Sequence, residues 1–187
     1  MQRSLVGSEM CIRDRLYIAM RFLGLALGSL TLEENDKLSS CATDGFKFYY
    51  NKDYIEISKG IALNRAYLHS VLHCLYRHII MRSSRDKFLW DISCDIATEH
   101  IIDSIMNKYV QRHQSHERAT VYALLRAKKS SFTAQSVYTV LSSQQFDEQT
   151  LMSISQEFYI DDHSLWCDEN APVSYTHLRA HETTLHL

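Results

Sequence analysis

Two histidines four residues apart inside a helical pattern constrain this chain more than any other feature. They lie in the stretch Tyr67-Leu-His-Ser-Val-Leu-His-Cys-Leu-Tyr-Arg-His78. At that spacing His69 and His73 project from one helix face, one turn apart, as two nitrogens offered to a single metal ion do. A helix turns ~100° per residue, so with His69 at zero, His73 falls at about 40°, Arg65 at about −40° and Tyr76 at about −20°. Leu68, Val71, Leu75 and Ile79 take the opposite side, so one polar strip runs down an otherwise apolar helix. His78 falls at about 180°, which makes it a buried or supporting histidine and the weaker metal candidate if the helix continues past Arg77.

In H-E-x-x-H zinc peptidases the glutamate is the general base, and here its position holds Ser70. The metal half of the motif is present and the catalytic half is missing. A serine hydroxyl does not take a proton from water at neutral pH, and general acid–base help is typically worth ~10²–10⁴-fold. At about 100° from His69, Ser70 also points away from the centre of the pair, which argues against a nucleophile.

The following segment, Trp90-Asp-Ile-Ser-Cys-Asp-Ile-Ala-Thr-Glu-His100, spaces Asp91, Asp95 and Glu99 at i, i+4 and i+8 on one face. A buried carboxylate row needs partners, so it faces a cation, basic residues or water. Two histidines and one carboxylate, with a position left for water, form a common catalytic zinc arrangement. The other reading pairs these carboxylates with Arg65, Arg77, Arg82 and Arg85. Glu99 or Asp91 is also placed to stand in for the missing base. Cys74 and Cys94 read as core packing, Trp90 and Trp166 as packing anchors, and His100, His113 and His116 as surface or linker residues. Asp161-Asp-His163 has metal-ligand chemistry but reads as an exposed cap.

Both chain ends carry a different signature. Glu9-Met-Cys-Ile-Arg-Asp14 is one translation of GAGATGTGTATAAGAGAC, and Val173-Ser-Tyr-Thr-His-Leu178 is one translation of its reverse complement. The ends thus resemble sequencing-library adapter read as protein, and residues 1–15 and 172–187 are set aside as fusion scars are. His177, His181 and His186 carry no functional weight on that reading. One domain is expected over 16–171, cut from a longer gene.

The formal charge of −2, or −3 without the ends, gives no basic patch and so no support for nucleic-acid or membrane-surface binding. Cys41, Cys74, Cys94 and Cys167 are irregularly spaced and read as reduced thiols of a cytosolic protein. The apolar run 16–32 is short and interrupted by Arg21, too poor for a membrane span.

Periodicity predicts helices over 16–30, 61–81, 90–110, 118–128, 132–141 and 147–158, with caps at Thr133 and at Asp147 or Thr150. Thr43-Asp-Gly45 signals a turn before a β-prone run at 46–50; residues 33–40 read as a polar connection and 51–59 as a loop or helical turn. The expected class is α+β, mostly helical, with a small sheet or hairpin.

Thr43-Asp-Gly-x-x-x-Tyr-Tyr-Asn51, then H-x-x-x-H-x-x-x-x-H, then Trp90-Asp-Ile-Ser-Cys-Asp-Ile-Ala-x-Glu99, resembles a bacterial metallopeptidase-like domain found N-terminal to von Willebrand factor A-like domains in cytosolic proteins. The resemblance covers 16–105 firmly and extends more weakly to Trp166. It implies a zincin-like fold with a strand beside the site helix, zinc on His69 and His73, and the family's acidic position at Asp95. Ser70 departs from the family's glutamate.

The expected function is a zinc-binding, peptidase-like domain with weak or absent peptide hydrolysis, a pseudoenzyme, located in the cytoplasm. The alternative is a non-catalytic scaffold coupled to the von Willebrand-type domain. An active peptidase with Glu99 as base ranks third.

Overall fold

The computed structural model describes residues 5–166 except 59, 83, 84, 129, 130 and 145, with side chains from residue 12 onward. Cys167 and the C-terminal adapter-like stretch lie outside the described residues. The fold is mostly helical α+β, as the periodicity predicts. Helix α1 (Leu5–Ala19), a 3-10 turn and the short α2 (Gly24–Leu27) lead into a three-stranded sheet. Its strands are β1 (Thr31–Glu34), β2 (Cys41–Thr43) and β3 (Lys47–Tyr50), in the order β1-β3-β2. β3 runs parallel to β1 and antiparallel to β2. The turn between β2 and β3 forms because Asp44 Oδ1 accepts from the amides of Phe46 and Lys47, while Gly45 takes φ 94. β1 falls partly inside the stretch read as a connection, because its burial is too slight to leave an alternating apolar pattern.

Five helices follow a six-residue α3 (Lys52–Ile57): α4 (Ile61–Leu75), α5 (Lys87–Ser104), α6 (His116–Ala127), α7 (Ala134–Ser143) and α8 (Glu148–Phe158). Side-chain oxygens cap most of them. Asp86 starts α5, Ser115 starts α6, Thr133 starts α7 and Asp147 starts α8, each accepting an amide of the first turn. α4 is the exception, entered through Gly60 at φ 61 with no side-chain cap.

Two hydrophobic cores flank the pair α4–α5. One packs Leu16, Met20, Leu27, Leu30, Phe48, Tyr67 and Leu68 between α1, α2, the sheet and α4. The other joins Ile92 and Ile96 of α5 to Tyr122, Leu125, Val137, Leu141 and Phe158 of α6–α8. Trp90 and Trp166 are both buried in a third, smaller cluster. Every residue from 63 to 73 is therefore buried, polar ones included.

Helix α4 ends earlier than its apolar pattern suggests. The chain leaves it after Leu75, and Arg77 adopts φ 58, a left-handed conformation without a glycine to signal it. His78 is thereby returned toward the helix it has just left. Helix α5 likewise stops at Ser104, and Val110 lies in the first core beyond it.

Candidate metal centre

Contacts between α4 and α5 run in opposite order along the two helices. Arg65 meets Glu99 and Asp103, His69 meets Asp95 and Glu99, and His73 meets Asp95. The helices are thus antiparallel, with the polar strip of α4 facing the acidic row of α5. Burying both strips is tolerable only because each group finds a partner.

At one end of the strip the partners are arginines. Glu99 Oε2 accepts from Arg65 Nη2 at 2.6 Å, Arg118 Nη1 at 2.8 Å and Arg112 Nη2 at 3.1 Å. Arg65 also binds Asp103 at 2.6 Å, and Arg118 binds Glu157 at 2.9 Å. The other oxygen, Glu99 Oε1, accepts from His69 Nδ1–H at 3.0 Å. Burial raises the Glu99 pKa, but His69 and the arginines outweigh it and hold the carboxyl well below the usual range.

At the other end, among the described residues, no arginine pairs with Asp95 or Asp161. His69 Nε2 lies 2.7 Å from His73 Nε2 and 3.2 Å from Asp95 Oδ1. The segment after α8 brings in two more groups. Asp161 Oδ1 stands 3.4 Å from His69 Nε2, and His163 Nε2 stands 3.2 Å from Asp95 Oδ1 and 3.1 Å from Asp161 Oδ1. One ligand atom from each of His69, His73, Asp95, Asp161 and His163 lies within 4.8 Å of all the others, and all five residues are buried.

The segment is positioned by the sheet. Asp162 N donates to Cys41 O at 2.7 Å and pairs with Ala42 in a parallel bridge, which sets Asp161 beside β2 and against His69 and Ser70 of α4. The expectation of an exposed cap is corrected here: Asp161 is 1% and His163 8% exposed. Trp166 fixes the segment from behind, its ring stacked on His163 at 3.7 Å and edge-on to His73 at 4.9 Å. These two donors lie about ninety residues from the motif, so no helical spacing links them. The only signal is an Asp-x-His beside a tryptophan.

The outward nitrogens of the three imidazoles are also partnered. His69 Nδ1 meets Glu99, His73 Nδ1 meets His78 Nδ1 at 2.9 Å, and His163 Nδ1 faces Asp91 Oδ2 at 3.8 Å. Burial and the neighbouring His73 push the His78 pKa down to about 2, so its Nδ1 is free to accept from His73. His78 therefore supports His73 and is not among the five converging donors. Asp91 is held by Arg82 at 2.7 Å. His100, read from sequence as a surface group, is half-buried and stacks on Phe132 at 3.5 Å.

Ser70 Oγ donates to Asp161 Oδ2 at 3.0 Å. The position that carries glutamate in the H-E-x-x-H pattern holds a small hydroxyl that orients a carboxylate from elsewhere in the chain.

The charges of these groups are set by one another. Burial opposes charging of His69 and His163, but Asp161 and Asp95 raise both well above the ordinary imidazole value. His73 goes the other way: burial and the charge on His69 lower it to about 4. Despite their burial, Asp95 and Asp161 sit well below the usual carboxylate range, held there by His163 and His69. Two carboxylates whose only cationic partners among the described residues are imidazoles, with three Nε2 atoms turned inward, fit a divalent first-row metal ion. A cavity of about 220 Å³ lies beyond His78, lined by Tyr76, Met81, Trp90, Ile101 and Phe132, and none of the five donors borders it.

Among the described residues no helix is long and apolar enough to cross a membrane. A family model described as a "putative metallopeptidase domain" matches residues 12–161, while no curated protein and no solved structure matches the chain. The matched span holds the whole polar strip of α4, the acidic row of α5 and Asp161, and stops just short of His163. The chain belongs to this metallopeptidase-domain family.

Proposed function

We propose that the domain binds zinc through His69, His73 and Asp95 and hydrolyses peptides weakly or not at all. Lewis acidity toward a water or a carbonyl oxygen is what zinc supplies when bound. The chain's own contribution to hydrolysis is what is lacking. The carrying observation is the Ser70–Asp161 hydrogen bond: the residue at the general-base position carries no carboxylate and is occupied in orienting one. The other carboxylates are committed as well. Glu99 is tied to three arginines and the outer nitrogen of His69, and a carboxylate held that far below its usual pKa is a weak base. Asp91 is tied to Arg82. This ranks an active peptidase with Glu99 as base below the degenerate one.

The same reading takes 1–15 and 172–187 as adapter-derived and makes a C-terminal von Willebrand factor A-like domain the partner, in the cytoplasm of a bacterium. Any substrate is a peptide. The scaffold alternative differs in needing no metal. Elemental analysis of the purified chain beside a His69→Ala/His73→Ala variant separates the two. One zinc per parent chain and none in the variant is expected. A folded parent that takes up no zinc leaves the scaffold.

A further inference from the structure

We propose that a metal at this centre is also held by Asp161 and His163, and so clasps segment 160–166 onto helices α4 and α5. The inference rests on the metal reading above and adds to it what the ion does to the chain. Three observations lead to it.

First, the segment is lightly tied for what it buries. Beyond Phe158 it has no helix or strand of its own among the described residues. Its neutral anchors include the Asp162 amide on Cys41 O, the Cys41 thiol on Ile160 O, the Tyr159–Ser40 hydroxyl pair at 3.0 Å, the Ser70 hydroxyl on Asp161, Ile160 against the first core and the Trp166 ring. Yet it carries Asp161 and His163 into the interior. Removing charged groups from water is costly unless close opposite charge offsets it. Asp161 has imidazoles and one hydroxyl around it, and among the described residues no arginine or lysine pairs with it.

Second, His163 repeats the arrangement of His69 and His73. Each turns Nε2 toward the shared centre and Nδ1 toward an outer partner, respectively Asp91, Glu99 and His78. Metal-bound histidines are oriented in this way by the group on the second nitrogen.

Third, the donor atoms converge. His69 Nε2 and His73 Nε2 stand 2.7 Å apart, and His163 Nε2 lies 3.1 Å from Asp161 Oδ1 and 3.2 Å from Asp95 Oδ1. A divalent ion placed among them would be held by all three Nε2 atoms and both carboxylates. The donor set is three nitrogens and two oxygens, suited to zinc and its first-row neighbours.

Since the segment supplies donors only when docked, metal binding and docking stabilise each other by the same factor. The test is hydrogen exchange on the full chain, stripped with chelator and then reloaded with zinc, following amides 160–166. Zinc is first confirmed on the parent by elemental analysis. With free zinc ~100-fold above its Kd, exchange of the segment is expected to slow by up to ~100-fold. The variant Asp161→Asn/His163→Gln keeps polar side chains of similar size. It is expected to bind zinc at least ~10-fold more weakly and to lose the zinc-dependent protection. A parent that binds zinc with no change in the segment's exchange overturns the clasp, and so does a double variant with parental affinity. A parent without zinc overturns the metal reading itself, and the elemental analysis shows this before any exchange is measured.

Discussion

Helix α5 carries two buried acidic sites that are solved in opposite ways. Glu99 and Asp103 are neutralised permanently, by Arg65, Arg112 and Arg118 from α4, the α5–α6 connection and α6. Asp95, one turn away, shares its pocket with Asp161 and among the described residues meets only imidazoles. Guanidinium stays charged at any ordinary pH and offers no lone pair, whereas a neutral imidazole nitrogen is a metal ligand. The first site is thus complete within the protein and the second is provisional, able to exchange protons for a cation. His69 touches both, with one nitrogen on each side.

The contrast breaks most severely at Arg118. Its side chain is 1% exposed and bridges Glu99, Asp103 and Glu157. Arg118→Ala removes one of three cations from the buried Glu99 and a partner from the part-exposed Asp103 and Glu157, and is expected to cost about 3 kcal/mol in urea unfolding. A loss below about 1 kcal/mol would mean that Arg65 and Arg112 suffice.

Next is the link between the two sites. Glu99→Gln keeps the size of the side chain but offers a weaker acceptor to His69 Nδ1–H, and zinc affinity is expected to fall ~10–100-fold. Competition with a chromogenic chelator measures it, and parental affinity would show that the arginine site and the metal site are independent.

The pH dependence sharpens the comparison. Against the effect of burial, Asp161 and Asp95 raise the pKa values of His69 and His163 in the fold, so their contribution is fully present below the unfolded value of 6.5. It is lost as pH rises through the folded values. Zinc needs those nitrogens unprotonated and gains as pH rises. The difference in Tm between zinc-loaded and chelator-treated protein is therefore expected to widen from about pH 6 to about pH 8. A constant or shrinking gap contradicts the assignment.

The smallest effect belongs to Ser70. Ser70→Ala removes one buried hydrogen bond to Asp161 and is expected to cost about 1 kcal/mol, with no change in any residual peptide cleavage. A large drop in cleavage would instead make the hydroxyl part of the chemistry.

Much of this is legible in the amino-acid sequence. The spacing of His69 and His73, the acidic row with Asp95 and Glu99, and the caps at Thr133 and Asp147 all follow from helical periodicity acting over short range. What periodicity cannot carry is where a helix stops without glycine or proline. Arg77 turns left-handed and returns His78 to His73, whereas an unbroken helix points His78 the opposite way. Nor does it reach across the chain. Asp161 and His163 arrive through the bridge to Ala42, a contact made by sheet pairing between distant segments. Nor does spacing decide what the acidic row faces: the structure gives Glu99 and Asp91 to arginines and Asp95 to imidazoles.

The sharing of one carboxylate oxygen by three arginines bears on how the chain folds. Glu99 Oε2 lies on α5, and its cations come from before and after it in sequence. A partly folded state with α4 docked on α5 but α6 still detached would bury that charge against an incomplete set of counterions, which is unfavourable. Half-assembled forms are thereby penalised, and the two cores on either side of α4–α5 are driven to form together as one cooperative transition.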